Sequence, residues 1–190
     1  MDVITAAKVF NQRAHNEHWH MACDPTLAFT DAFYARLLGI WQQKAGGRKM
    51  PARSDMTARD LKDYLRHIVM VQREAEDPPK YRWRLIGTSM TEVVGHNTGK
   101  MFDDTIPPQH LSRWTEVCDM VLKSEQPWRF LGRVHIRGRE YLKAENLYLP
   151  LSDDANAPSF VMGLCRYLPR HQDNDVFSED EIFSLPGALR

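Results

Sequence analysis

The sequence predicts an α+β domain in which a five-stranded antiparallel sheet carries its helices on one face. The apolar residues recur at helical spacing up to about residue 66 and then alternate, in two groups of strand-like segments, at 67–87 and 129–168. A helical segment separates the two groups. Neighbouring strands joined by short turns pair antiparallel, and helices gathered between two groups of strands cover one face of the sheet.

The first helix is predicted from Asp24–Pro25 to Gly46–Gly47. An aspartate followed by proline suits the N-cap and first position of a helix, and glycine commonly ends one. The apolar residues of this segment are Leu27, Phe33, Tyr34, Leu37, Leu38 and Trp41. They exceed what one apolar stripe holds, so the helix needs a second surface to cover them.

Two strands follow a short helix that Thr57 and Asp60 open as a capping box. The segments 67–74 and 80–87 are rich in β-branched and aromatic residues, and the breaker at 76–79 between them predicts a hairpin. In the second segment Tyr81, Trp83 and Leu85 alternate with arginines. The sheet is therefore expected to be buried on one face.

A longer helix is predicted from Pro107–Pro108 until Pro127 ends it. Its stripe consists of Leu111, Trp114, Cys118 and Val121. A second hairpin, with its turn at 137–139, and a last strand at 159–168 complete the sheet.

Composition excludes several classes of function. The 25 basic and 25 acidic residues cancel, so no net positive field draws the chain to nucleic acid or anionic lipid. No apolar run approaches the ~20 residues of a spanning helix, which predicts no membrane insertion. The cysteines are three, widely separated and without a C-x-x-C pair. We therefore expect a cytoplasmic protein without disulfides.

The stretch "VVGHNTGKMF", residues 93–102, has glycines and a lysine like a phosphate-binding loop. The spacing differs, however, because only three residues separate Gly95 from Gly99, and Met101 stands where a metal-binding hydroxyl is needed. We expect a turn that glycines allow, with Lys100 in water, and no nucleotide site.

Three stretches resemble one family, the stand-alone bacterial PAS-type sensory proteins. They are "MPARSDMTARDLKDYLRHIVMVQ", "YRWRLIGTSMTEVVGHNTGKMFDD" and "LYLPLSD". The resemblance extends over residues 27–168. It implies a PAS-like domain at 25–168, which includes the leading helix. An N-terminal helical extension at 1–24 precedes this domain, and an acidic tail at 169–190 follows it. The resemblance also implies that Gly87 lets the chain leave the strand tightly, and that Gly95 ends a short helix in a left-handed conformation.

PAS domains hold a ligand, when they have one, between the inner face of the sheet and the long helix. Alternation and the helical stripe then place four side chains at the site, and the resemblance adds Met90 and His110. The predicted ligand-binding residues are Trp83, Leu85, Met90, His110, Trp114 and Cys118. The same residues also suit a filled core.

The cofactor is left open. Light-sensing flavin members resemble a "G-x-N-C-R-F-L-Q" motif, whereas this chain reads "GHNTGKMF" without the reactive cysteine. Haem-binding members use a histidine near the long helix, where His110 stands, but its place beside Leu111 also suits solvent exposure. The group His15, His18, His20 and Cys23 has no standard zinc spacing, so no metal is predicted.

Two functions from different classes follow. One is a sensory module that binds a small molecule and signals by contact with a protein partner; the other is a ligand-free adaptor with a filled core. No catalytic motif of the nucleophile or metal-hydrolase type is present, so we expect no enzyme. In PAS-like proteins the leading helix often pairs with its copy, which predicts a homodimer. The alternative is that this helix lies across the open face of its own sheet within one chain.

Overall fold

The computed structural model describes residues 2–29, 31–133, 142–153 and 156–169. The helices are α1 (Val3–Asn16), α2 (Ala32–Ala45), α3 (Ala58–Leu61), α4 (Thr88–Val94), α5 (Phe102–Thr105) and α6 (Pro108–Ser124). The strands are β1 (Met21–Asp24), β2 (Ile68–Arg73), β3 (Tyr81–Ile86), β4 (Trp128–Arg133), β5 (Leu142–Ser152) and β6 (Pro158–Pro169). The second predicted hairpin turn and all but the first residue of the predicted acidic tail lie outside these ranges.

The six strands form one sheet in the order β1-β4-β5-β6-β2-β3. The α+β class is confirmed, and α1 is the N-terminal helical extension. The sheet has six strands where the sequence predicted five. The additional strand is β1, which has only four residues and no alternation of its own. It was missed because its partners in β4 are more than a hundred positions away in the sequence.

The predicted start of the leading helix was wrong. Helix α2 begins at Ala32, and Asp31 is its N-cap, with the carboxylate accepting from the Phe33 N–H at 2.8 Å. Asp24 instead ends β1. The predicted end is confirmed, because Gly46 caps the helix at φ 57°, in the left-handed region.

The described residues divide into two compact units. The first comprises 2–28, 128–133, 142–147 and 165–169. Within it, β1 pairs antiparallel with β4, with Cys23 opposite Phe130 and Asp24 opposite Arg129. Directly opposed residues share a face of the sheet. Phe10 of α1 lies against the Phe130 ring at 5.2 Å, so α1 covers the face that carries Cys23 and Phe130.

A side chain of α1 closes the outer edge of β1. The amide of Asn11 accepts from the Cys23 N–H at 2.8 Å and donates to the Cys23 carbonyl at 3.1 Å. Asn11 is fully buried. Its carboxamide therefore supplies the donor and acceptor that a further strand would supply.

The second unit comprises 29, 31–127, 148–153 and 156–164 of the described residues. Strand β2 pairs antiparallel with β3 and with β6, and its register with β3 shifts between Met70 and Val71. The predicted β2–β3 hairpin is confirmed. Helix α2 buries Tyr34, Leu37 and Trp41, and the Trp41 indole donates to the Pro150 carbonyl at 2.9 Å.

Gly87 makes the close turn that the resemblance implied. A Cβ at this position would lie 2.2 Å from the Leu65 carbonyl oxygen and 2.6 Å from the backbone of Arg66. No side chain fits there. The Gly87 N–H donates to the Ile68 carbonyl at 2.7 Å, and α4 begins at the next residue.

Candidate functional site

Trp83, in the middle of β3, is the centre of the candidate site. Both of its backbone groups pair with the "GHNTGK" segment: the Trp83 N–H donates to the Lys100 carbonyl at 3.0 Å, and the Gly99 N–H donates to the Trp83 carbonyl at 2.7 Å. This pairing runs along the outer edge of β3. The segment is thus a turn that returns along the strand, as the sequence predicted in place of a phosphate loop.

The glycines of this segment serve the turn. Gly95 and Gly99 have φ of 79° and 89°, which side-chain-bearing residues rarely adopt. Gly95 ends α4 as predicted, but with ψ of 177° it is outside the left-handed helical conformation that was expected. Lys100 is exposed, and its ammonium donates to the Asn97 side chain at 3.3 Å. The exposure predicted for Lys100 is confirmed.

Three aromatic rings meet at the site. The centroid of the Trp83 ring lies 5.6 Å from that of Trp114 with an interplanar angle of 70°, an edge-to-face contact. Phe102 packs against both, at 4.5 Å from Trp83 and 6.2 Å from Trp114. The predicted contact between the two tryptophans is confirmed, while Phe102 was missed. Its position directly after the turn gave no periodic signal in the sequence.

The indole N–H of Trp83 has a defined partner. It donates to the Thr105 hydroxyl oxygen at 3.1 Å, and that hydroxyl donates to the Met101 carbonyl at 2.8 Å. Both Phe102 and Thr105 belong to α5, three residues apart, so they lie on one side of this short helix. Thr105 was also missed, because a threonine in a polar stretch gives no indication of what it contacts.

Burial falls along both elements that meet at this site. On β3, Trp83 is fully buried and Ile86, opposite Val69 on the same face, is only partly buried. The predicted place of Leu85 beside Trp83 was wrong, because the register shift puts Leu85 opposite Met70, on the other face of the strand. On α6, Val117, Cys118 and Val121 are buried, whereas the earlier stripe residues Leu111 and Trp114 are partly buried. The apolar surface is therefore closed at Trp83 and partly open beyond it.

The remaining predicted site residues occupy different environments. Met90 of α4 is fully buried. Cys118 is buried, and burial, with a smaller effect of Asp119, raises the pKa of its thiol, so it stays a neutral apolar side chain. His110 is partly buried, and burial, followed by the charge of Arg113, lowers its pKa. The lowered pKa favours the neutral form of this imidazole.

A polar contact next to the aromatic rings was not predicted. The Tyr81 hydroxyl donates to one oxygen of the Asp119 carboxylate, and the Lys123 ammonium donates to the other at 2.8 Å. Burial raises the pKa of Tyr81, and the bond to Asp119 adds to this effect. Tyr81 thus joins β3 to α6 beside the Trp83 contact.

A buried ionic group lies in the first unit. The Arg129 guanidinium donates to Asp24 at 2.7 Å and to Glu145 at 2.7 and 2.8 Å, and each side chain is at most 4% exposed. Asp24 also accepts from the backbone and hydroxyl of Thr26. This group, the Arg129 triad, joins β1, β4 and β5 and was not predicted.

The histidines of the N-terminal segment do not converge in the described part of the chain. His15 and His18 are exposed, and Cys23 is buried, where its thiol lies 3.7 Å from the Ala7 carbonyl. Nowhere in the described ranges do three His, Cys, Asp or Glu side chains come close enough to hold a metal ion. Among the helices of those ranges, none has the length and apolar character needed to cross a membrane.

Comparison with known proteins identifies the fold family. The PAS domain family matches residues 30–166, well over half of the chain. No curated protein matches. Among solved structures, a sensory box histidine kinase/response regulator from Burkholderia thailandensis E264 is similar at 12% identity and a TM-score of 0.36, with 60% of this chain and 86% of that chain covered. On the strength of the family match, the chain belongs to the PAS domain family.

Proposed function

We propose that this PAS domain is a sensory module that binds a small apolar molecule against Trp114, beside its contact with Trp83, and signals through a protein partner. The observation that carries the proposal is the fall in burial along β3 and α6 from the point where these two rings meet. A core closed throughout would bury Leu111 and Trp114 as completely as it buries Trp83.

The chemistry of the partly open surface defines the ligand class. Leu111 and Trp114 offer apolar and aromatic area, and the lowered pKa of His110 favours its neutral form. Ligand sites are concave and mostly apolar, with few polar groups to fix orientation. An uncharged, largely apolar molecule suits such a surface, because a charged ligand would lose hydration without a paired charge.

Native mass spectrometry of freshly purified protein tests the proposal. We expect a bound small molecule that is lost in Trp114→Ala and kept in Leu38→Ala, a control on α2 that removes a partly buried side chain elsewhere. The unaltered protein at its bare mass would contradict ligand binding. Equal retention by both variants would place any ligand elsewhere.

The second candidate is a ligand-free adaptor. The mutual packing of Trp83, Phe102 and Trp114 favours it, since three large rings can fill the space that a ligand would need. Bare mass together with capture of a protein partner that depends on exposed residues supports the adaptor. In both versions we propose a cytoplasmic, non-enzymatic protein that acts as a homodimer.

A further inference from the structure

We propose that Thr105 is a positioning residue that fixes the Trp83 indole, and with it the aromatic surface offered to the ligand. The proposal rests on the proposed function for the meaning of that surface, but the hydrogen bond itself can be tested without any ligand. Nothing in the sequence pattern predicted a role for Thr105.

The indole N–H has to be satisfied inside the protein. Trp83 is fully buried, and a buried indole N–H without an acceptor costs free energy that water would otherwise have supplied. The Thr105 oxygen is the acceptor at 3.1 Å. Since the Thr105 hydroxyl gives its own hydrogen to the Met101 carbonyl at 2.8 Å, its lone pairs are directed at the indole.

The rest of Trp83 is already fixed. Its N–H and carbonyl are bonded to Lys100 and Gly99, which leaves only the two side-chain torsions to set the plane of the ring. The bond to Thr105 removes that freedom, because it requires the N–H edge of the indole to point at α5. The edge-to-face contact with Trp114 follows from this orientation.

Helix α5 is itself fixed to β3, so it can hold the Trp83 ring in one orientation. Just before it, Met101 forms a bridge with Arg82 of β3. The Arg82 guanidinium also donates to the Gly99 carbonyl at 2.9 Å. With Phe102 and Thr105 on the same side of the helix, α5 supplies both a ring against Trp83 and the acceptor for its indole. Fixing the ring against which the partly buried Trp114 packs preorganises the surface open to a ligand, which lowers the entropy that binding costs.

The experiment compares Thr105→Val, which keeps the shape and removes the acceptor, with Thr105→Ser, which restores the hydroxyl. In ¹H–¹⁵N spectra the Trp83 indole resonance, identified by its loss in Trp83→Phe, is expected to move upfield and to exchange faster with solvent in Thr105→Val. Thr105→Ser is expected to restore it. The Trp41 indole, bonded to Pro150, is the internal control. An unchanged Trp83 resonance in a folded Thr105→Val protein would overturn the proposal.

A fluorescence titration with N-phenyl-1-naphthylamine, an uncharged apolar probe, examines the consequence for binding. Thr105→Val is expected to weaken binding about fivefold, the change that loss of one typical hydrogen bond produces, and Thr105→Ser to recover most of it. An altered indole resonance with unchanged affinity would overturn the claim that Thr105 positions a ligand surface. A failure of the unaltered protein to bind the probe would contradict the proposed function, whereas the spectra decide the role of Thr105 independently.

Discussion

Trp83 and Trp114 share one ring contact but differ in burial, which sets their contributions to stability. Trp83 is fully buried and bonded to Thr105, so Trp83→Ala is expected to lower the free energy of unfolding by about 3–5 kcal/mol. Trp114 is partly buried, and Trp114→Ala is expected to cost less. Urea unfolding of the two variants measures the difference. A larger loss for Trp114 would show that its surface is closed rather than open.

A second prediction at the residue scale concerns two glycines. Gly87→Ala would push a methyl group into the Leu65 and Arg66 backbone, and we expect a loss of at least about 1–3 kcal/mol because that backbone has to shift. Gly39, in α2, has nothing within 4 Å of an added Cβ. Gly39→Ala is expected to stabilise the protein by about 0.5–1 kcal/mol. Equal urea midpoints for both variants would refute the steric argument.

At the scale of elements, the cap of α3 gives a pH dependence. The Lys44 ammonium, followed by the Thr57 hydroxyl, lowers the pKa of Asp60 from 3.8 to about 2. A carboxylate whose pKa is lower in the folded state stabilises that state above its unfolded pKa and loses this effect as the pH falls through the folded one. We therefore expect the contribution of Asp60 to fade between about pH 4 and pH 2.

Asp60→Asn tests this dependence. The variant removes the charge but keeps an oxygen for the cap, so its stability is expected to approach that of the unaltered protein at the acidic end of the window. Thermal unfolding at several pH values measures the convergence. A constant difference between the two proteins down to pH 2 would show that the lowered pKa of Asp60 is not the cause.

The elements also show what local sequence can and cannot predict. The Thr57 cap, the glycine end of α2 and the proline start of α6 were predicted correctly because each depends on residues a few positions apart. Strand β1 was missed, and Asp24 was assigned to a helix, because the partners of this strand are distant in sequence. Arg129 binds the Asp24 carboxylate, and Asn11 binds the backbone of Cys23.

The candidate site divides in the same way. Alternation on β3 and the stripe on α6 correctly brought Trp83 and Trp114 together. Alternation failed for Leu85, because the irregular register with β2 cannot be seen in the sequence of β3 alone. Phe102 and Thr105 lie in a four-residue helix, too short for any periodic pattern. How far each predicted residue is exposed depends on the packing of whole elements rather than on residue type.

For the whole molecule, the homodimer stays a prediction, and the structure changes how to test it. Phe33 packs against Tyr64 at 4.6 Å, and Trp41 is buried, so changing either to glutamate would chiefly lower stability. Ala35 is on the exposed side of α2. We expect a dimer by sedimentation velocity at tens of micromolar, and monomers for Ala35→Glu, because a charged side chain in place of a methyl group loses hydration when a partner covers it without a paired charge. A monomeric unaltered protein would contradict the prediction.

The Arg129 triad bears on how the chain can be shortened. The family match begins at residue 30, after Asp24 and after the whole of α1 and β1. A chain trimmed to residues 30–166 would leave Arg129 with Glu145 alone, and loss of one partner from a buried ion pair typically costs about 3–5 kcal/mol.

The trimmed chain would also turn β4 into an open edge with Phe130 and Leu131 uncovered, a surface that promotes association between strands of different molecules. We expect the trimmed chain to aggregate and a chain beginning at Asp2 to stay dispersed, as measured by dynamic light scattering. A 30–166 chain that stays dispersed and unfolds cooperatively would contradict this expectation. The family match thus leaves out one helix and one strand that the folded domain needs. A chain designed for expression from the family match alone would lack part of the hydrophobic core.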